Sequence, residues 1–248
     1  MKAIPSRVEL ADLNRAIVNC NKCTRLRDYA RLVARKKKRQ FADWEYWARP
    51  VPGFGDPEAR LLVIGLAPAT HGGLRTGRVF TGDDSGRFLV RALNAAGFAN
   101  QPISEHINDG LVYGDCYLTA AVKCAPPGDR PTKEEFDNCS VYLDAEIAAL
   151  RNVRVVLALG SMAFGAFVNH LRRKGIDTKG LKFAHGASYN VAGLRLYASY
   201  HPSPRNTNTG KLAPRMLSRL LGHIRSDLDA KVEERSRCAS PTRRRALL

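Results

Sequence analysis

Short apolar runs separated by stretches of helical periodicity recur along the chain, and this alternation limits the fold more than any other feature. The run at 153–160, VRVVLALG, is apolar at nearly every position, as expected of a central parallel strand buried on both faces. Alternating strands and helices form βαβ units, so the sequence predicts an α/β fold with a mostly parallel sheet covered on both faces. Strands are predicted at 60–66, 116–124, 153–160 and 194–200, and helices at about 7–19, 86–96, 132–150, 161–173 and 213–230.

A long glycine-rich loop, residues 65–86, leaves the first of these strands and leads into a helix. Open α/β sheets bind their ligands at the carboxyl ends of the strands, where this loop begins. Glycines at plain surface turns would give a similar composition, but a loop of this length and mixed chemistry is more often functional. Its charged and aromatic side chains are Arg75, Arg78, Phe80, Asp83 and Asp84.

The 248 residues show no internal domain boundary, so residues 1–230 are predicted to form one domain. A basic tail, 231–248, has few large apolar residues and is predicted to be disordered. Lys and Arg number 40 against 23 acidic residues, a formal net charge of +17, which indicates a polyanionic partner, with nucleic acid ahead of a membrane surface. No apolar stretch suits a transmembrane helix or a signal peptide, so a cytoplasmic protein is expected.

The densest positive charge lies in a basic segment, 25–39, which contains eight Lys and Arg residues. Such a run is often only a solvated face. Aromatic residues follow it directly, and we expect them to pack the segment onto the body of the protein rather than to stack on nucleic acid bases. They are Phe41, Trp44, Tyr46 and Trp47.

Four cysteines form two pairs that come from distant parts of the chain. Cys20 and Cys23 are separated by two residues, whereas Cys124 and Cys139 are more widely spaced. In a chain expected to be cytoplasmic, such thiols are more often metal ligands than disulfides. Zinc and an iron–sulfur cluster both suit four thiolates, and the spacing leaves the metal open, although the wide second spacing is atypical of a zinc ribbon.

Three loops taken together resemble the uracil-DNA glycosylase superfamily. They are the glycine-rich loop 65–86, the turn APPGDRPT at 125–132 and the segment HPSPRNTNTGKL at 201–212. With the cysteines, the resemblance extends over about residues 15–225 and is closest to the type-b, or family 5, branch. Family 4 enzymes carry an acidic residue after the first glycine of the first loop, where this chain has Leu66.

The resemblance implies a fold, a cofactor and an activity. The implied fold is a single three-layer α/β/α domain with a four-stranded, mostly parallel sheet. The implied cofactor is a [4Fe–4S] cluster, with iron on Cys20, Cys23, Cys124 and Cys139. The implied activity is DNA repair: hydrolysis of the N-glycosidic bond of uracil, and of hypoxanthine and other deaminated or oxidised bases, in double-stranded DNA by base flipping. We expect a monomer associated with the nucleoid.

Cleavage of an N-glycosidic bond places negative charge on the uracil and cationic character on the sugar. His201, between a strand and a proline, is the expected hydrogen-bond donor to uracil O2. Asp83 is expected to orient or activate the attacking water, and the alternative role for it is a helix N-cap. If Asp83 acts on the water, the helix that follows would be capped by Asp84 or Ser85.

Four residues are expected to form the base pocket. Phe80 would stack on the flipped base. Gly65, Ala67 and Pro68 would shape the pocket wall, because they lie where the glycine-rich loop leaves its strand.

The other two loops supply further candidates. Arg205 and Asn206, just past the HPSP turn, suit contact with phosphates or insertion into the gap that the flipped base leaves. Asp129 stands where the family usually has Asn, so it either faces the pocket or only forms a turn. The range of bases that the site accepts therefore stays open.

Two other functions fit parts of the sequence. A non-catalytic DNA-binding protein with a four-cysteine zinc module would explain the charge and the thiols, but not the loops that carry His201 and Asp83. A Rossmann-type nucleotide enzyme would also place a glycine-rich loop after the first strand. However, GLAPAT at 65–70 lacks the second glycine of the GxGxxG fingerprint.

Overall fold

The computed structural model describes residues 9–239, and the side chains of residues 9–230. The strands are β1 Phe54–Gly55, β2 Leu61–Gly65, β3 Cys116–Ala120, β4 Val155–Leu159, β5 Ser188–Val191 and β6 Leu194–Ser199. The α-helices are α1 Leu10–Val18, α2 Thr24–Lys36, α3 Gly73–Thr76, α4 Asp84–Ala95, α5 Lys133–Ala149, α6 Ser161–Arg173, α7 Pro204–Thr207 and α8 Pro214–Ala239.

The sheet confirms the predicted α/β class but has more strands than expected. Its four central strands are parallel and lie in the order β3-β2-β4-β6. Two short strands pair antiparallel at the edges, β1 beside β3 and β5 beside β6, so the sheet is six-stranded and mixed. The sequence did not reveal them because β1 has only two residues and β5, SYNV, is largely accessible and carries no apolar run.

Helices cover both faces of the sheet, which confirms the three-layer α/β/α arrangement. On one face, α4 and α8 contribute Leu93 and Leu221 to a core with alternate residues of the parallel strands. On the other face, α5 and α6 contribute Leu143 and Phe167 to a second core with the remaining residues of the same strands. Every residue of β4 is buried, as its apolar run predicted.

One helix that was not predicted and two element boundaries differ from the sequence expectation. Most of the basic segment is helical, as α2. The predicted strand 116–124 ends at Ala120, because the backbone N–H groups of Ala121 and Val122 then bond to carbonyls at the start of the glycine-rich loop. The last helix, expected to end near 230, continues to Ala239 into the predicted tail, and residues 240–248 lie outside the described residues.

Among the described helices, none is long and apolar enough to cross a membrane.

Candidate active site

The candidate residues lie on loops at the carboxyl edge of the parallel strands. The helix after β2 covers one face of the sheet, whereas the helix after β4, its neighbour, covers the other. A crevice opens where consecutive helices go to opposite faces, and this switch point is the usual ligand site of an open α/β sheet. Gly65 ends β2 and Gly160 follows β4, so these two glycines flank the crevice.

Phe80 and His201 lie side by side at the switch point. Their ring centroids are 6.3 Å apart, with the planes inclined at 31°. A Cβ at Gly65 would be 2.6 Å from the Phe80 ring, and one at Gly160 would be 3.4 Å from the Cβ of His201. Glycine at 65 is therefore required for the approach of the aromatic ring. Phe80 has a left-handed φ of 51°, which bulky residues rarely adopt, so the surrounding loop must fix its conformation.

The His201 side chain is half-buried. Burial lowers the pKa of its imidazole, and the negative charge of Asp129 opposes this effect. The ring is therefore neutral near pH 7 and has one N–H to donate. Its backbone carbonyl accepts a hydrogen bond of 2.8 Å from Nδ2 of Asn206, which holds the turn around His201.

Asp83 caps α4, so the prediction that Asp84 or Ser85 does so is wrong. Oδ1 of Asp83 accepts a hydrogen bond of 2.9 Å from the backbone N–H of Gly86. An N-cap residue has extended backbone and turns its side chain back to the first helical turn, and Asp83 is the residue with extended dihedrals. Asp84 is already helical, and its exposed carboxylate pairs with Arg87 at 2.9 Å.

The bond from Gly86 engages Oδ1 of Asp83. The other, Oδ2, packs against the backbone of Gly72, where a Cβ would overlap it. Burial raises the pKa of Asp83, and hydrogen bonds from the backbone N–H groups of Gly86 and Ser85 oppose this. Asp83 is thus a less acidic carboxyl than an exposed aspartate, with Oδ2 left for another partner.

The remaining predicted residues take different positions around this edge. Pro68 is buried within the glycine-rich loop, and Ala67 packs against the group of cysteines described below. Asp129 is exposed and has a left-handed φ of 56°, a conformation that Asp and Asn adopt more readily than other side chains. Arg205 is exposed on the short helix α7.

Buried contacts that the sequence did not reveal hold the glycine-rich loop in place. The Arg78 guanidinium is 2% exposed, and Nη2 donates to Oδ2 of Asp109 at 2.6 Å and to Oγ of Ser104 at 3.1 Å. Its Nε donates to Oγ1 of Thr81 at 2.8 Å. These bonds fix the residues on both sides of Phe80. No local pattern signals them, because Asp109 is 31 residues from Arg78.

Three of the four predicted metal ligands lie in one small apolar group that Ala67 of the glycine-rich loop also contacts, and Cys20 packs against another. Cys124 and Cys139 are buried in one small apolar group, and Cys23 packs against it. The pKa of Cys124 is raised to about 12, chiefly by burial and to a smaller extent by the thiols of Cys139, Cys20 and Cys23.

Two N–H donors face this group of thiols. The backbone N–H of Lys123 lies 3.5 Å from Sγ of Cys139, and Nδ2 of Asn138 lies 3.6 Å from Sγ of Cys23. Within residues 9–230, however, no three His, Cys, Asp or Glu side chains are placed to hold a metal ion. The metal site therefore stays a prediction.

The fold, and the loops at its carboxyl edge, are those of a known class of enzyme. The family model of the uracil DNA glycosylase superfamily matches residues 52–225. Type-5 uracil-DNA glycosylases from Pyrobaculum aerophilum and Thermus thermophilus are each 48% identical to this chain, over 87% and 82% of its length and 92% and 90% of their own. The one from Mycobacterium leprae is 46% identical over 84% of this chain and 91% of its own.

A type-4 uracil-DNA glycosylase of Pyrobaculum aerophilum is only 28% identical, over 79% of this chain. The chain therefore belongs to the uracil DNA glycosylase superfamily and, within it, to the type-5 family of hydrolytic DNA glycosylases. This confirms the resemblance drawn from the three loops.

Proposed function

We propose that this chain hydrolyses the N-glycosidic bond of uracil in double-stranded DNA, after flipping the nucleotide out of the helix, and leaves an abasic site. The observation that carries the proposal is the pairing of Phe80 with His201 at the switch point. An aromatic face beside a neutral hydrogen-bond donor suits a flat, polar base. Hypoxanthine and other deaminated bases are included in the proposal, as is action as a monomer on nucleoid DNA.

In this proposal His201 stabilises the leaving base. The bond from C1′ of the sugar to N1 of uracil breaks, and its electron pair moves onto the ring and its carbonyl oxygens. A donor already fixed beside O2 lowers the energy of that anion without having to reorient during the reaction. The lowered pKa supports a neutral imidazole in this role.

Asp83 is proposed to act on the sugar side. The cationic sugar is attacked at C1′ by water, which must lose a proton as the new bond forms. A carboxylate whose pKa is raised by burial is a better proton acceptor than an exposed one. Because Oδ1 is engaged at the helix, Oδ2 is the oxygen proposed to hold the water.

The activity is tested by a single-turnover panel of duplexes that contain uracil, hypoxanthine, xanthine or a T:G mismatch. We expect release of free uracil and an abasic strand that breaks only on later treatment with alkali, because the proposed reaction is hydrolysis alone. Thymine in a normal pair with adenine is the control and should stay attached. Release of no base from any duplex would favour the non-catalytic DNA-binding alternative.

We also propose a [4Fe–4S] cluster on Cys20, Cys23, Cys124 and Cys139. The donor set supports it, since all four ligands are thiols and two N–H groups face their sulfur atoms, as is usual around such clusters. The four thiols that hold a four-iron cluster would also be farther apart than those around one ion, so the lack of a single-ion site within residues 9–230 does not count against it. When bound, it would join the α1–α2 connection to α5 and the loop after β3, and we assign it no role in chemistry on the base.

Iron analysis tests the cluster. Protein purified without oxygen should be brown and contain about four iron atoms per chain. Cys139→Ala should lose most of the iron and unfold at a lower temperature, because the link between α5 and the N-terminal helices is lost. Cys116→Ala, at a buried thiol in β3, is the matched control and should keep the iron. Stoichiometric zinc without iron in the wild-type protein would contradict the proposal.

A further inference from the structure

The basic segment ends in an unusual concentration of unpaired charge. We call residues 35–47 the basic wing; it comprises the last turn of α2, a 3-10 helix at Arg39–Phe41 and the aromatic stretch that follows. Four of its cations are exposed, and among the described side chains none of them has a carboxylate within ion-pair distance. They are Arg35, Lys36, Lys38 and Arg39. The wing's own acidic residues, Asp43 and Glu45, are exposed as well.

Arg75 of the glycine-rich loop holds the wing through cation–π contacts with two aromatic rings. Its guanidinium carbon lies 3.9 Å from the ring centroid of Phe41 and 3.9 Å from that of Trp44. Arg75 is 2% exposed, and its Nη2 donates to the carbonyl of Gly82 at 2.8 Å. Cation–π contacts are strong when the charged group is removed from water. Through Arg75 they attach the wing to Gly82, which directly precedes Asp83.

Further contacts tie the wing to the same loop. The hydroxyl of Tyr46 lies 3.0 Å from Nδ1 of His71. The backbone N–H of Trp47 donates to the carbonyl of Arg75 at 3.0 Å. The aromatic residues therefore pack against the body of the protein, as the sequence predicted. The exposed cations are attached through them to the glycine-rich loop. Burial lowers the pKa of His71 in that loop, and Lys38 lies close enough to lower the pKa of this imidazole further.

We infer that the basic wing binds the phosphates of the DNA strand beside the flipped nucleotide, an inference that rests on the proposed function. Residues 35–39 carry five consecutive positive charges, four of them exposed, which repel one another unless an anion lies close by, and no acidic side chain of the described chain fills that role. A duplex supplies closely spaced phosphates. Because the wing is fixed to the loop of Phe80 and Asp83, phosphates bound there would hold the duplex in register with the base pocket.

The test compares the salt dependence of binding. The probe is a short duplex with one uracil nucleotide whose 2′-fluoro sugar blocks cleavage. The variant Lys38→Gln/Arg39→Gln should lower the slope of log affinity against log salt by close to two, since each phosphate contact contributes about 0.9. At low salt we expect binding weaker by on the order of tenfold. The exchanged pair Lys38→Arg/Arg39→Lys keeps both charges and should retain the wild-type slope.

A matched variant controls for overall charge. Arg151→Gln/Lys174→Gln removes the same two charges from exposed positions after α5 and α6, where the chain returns to the amino edge of the sheet. Its slope should stay at the wild-type value. Equal slopes for the wing variant and the wild type, or equal losses in both variants, would overturn the inference. Failure of the wild type to release uracil would instead defeat the proposed function, and the binding slopes would still decide whether the wing contacts DNA.

Discussion

Replacing His201 with alanine should slow single-turnover release of uracil by about 10²–10³-fold, equivalent to about 3–4 kcal/mol in the barrier. The effect is large because the hydrogen bond to O2 is made mainly in the transition state, when charge reaches the base. For the same reason the affinity for DNA should change little. Quenched-flow release of uracil and equilibrium binding to the uncleavable duplex measure the two quantities separately.

His223→Ala is the control, because His223 is exposed on α8 away from the switch point. It should leave both the rate and the affinity unchanged. A loss of DNA affinity as large as the loss of rate in His201→Ala would mean that His201 binds the ground state, or supports the turn that Asn206 holds.

The pH dependence gives a second check on His201. Burial lowers the pKa of its imidazole, so the ring is neutral near pH 7. The wild-type rate should therefore show no step from this residue between about pH 7 and about pH 8.5. A rate that rises as the pH falls through this range would point to a cationic donor and contradict the proposed role.

The sequence predicted the central architecture well because apolar runs report burial directly. β4 is buried along its whole length, and its pattern predicted both its position in the sequence and its place as a central parallel strand. The two edge strands were missed because they bury little. Most of the basic segment folds as α2, whose buried face of Leu26, Ala30 and Val33 was obscured by the surrounding charges.

The candidate site was predicted in its residue types but not in its contacts. Gly65 and His201 stand out because each follows an apolar run. Gly160 also follows one, but nothing in the sequence indicates that it lies near His201. The same holds for Arg78, whose partners come from a loop distant in sequence, and for Arg75, whose aromatic partners lie in the basic wing. Such pairings arise only from tertiary structure.

The position of the helix cap bears directly on catalysis. The favoured prediction gave the catalytic role to Asp83 and the cap to Asp84 or Ser85, whereas Asp83 makes the capping bond itself. A substitution at 83 can therefore alter both the helix and the reaction, and its effects on stability and on rate must be measured together.

Asp83→Asn should slow uracil release by about 10²-fold or more, within the range that general-base groups contribute. Asparagine caps helices about as well as aspartate, so the free energy of unfolding should change by only a few tenths of a kcal/mol. Asp83→Ala loses the cap as well and should be destabilised by about 1 kcal/mol. If both variants release uracil slowly but only Asp83→Ala is destabilised, the loss of rate comes from the missing carboxylate charge and not from the missing cap.

Asp84→Asn completes the comparison, because the exposed Asp84 pairs only with Arg87 and its loss should leave the rate close to wild type. The raised pKa of Asp83 adds a further expectation. The wild-type rate should fall as the pH is lowered, at a higher pH than an ordinary aspartate would cause, and Asp83→Asn should lack this fall.

If Asp84→Asn is the inactive variant, the two carboxylates have been assigned the wrong way round. If all three variants release uracil at the wild-type rate, the water is held elsewhere, and Asp129, whose charge acts on His201, is the next carboxylate to replace.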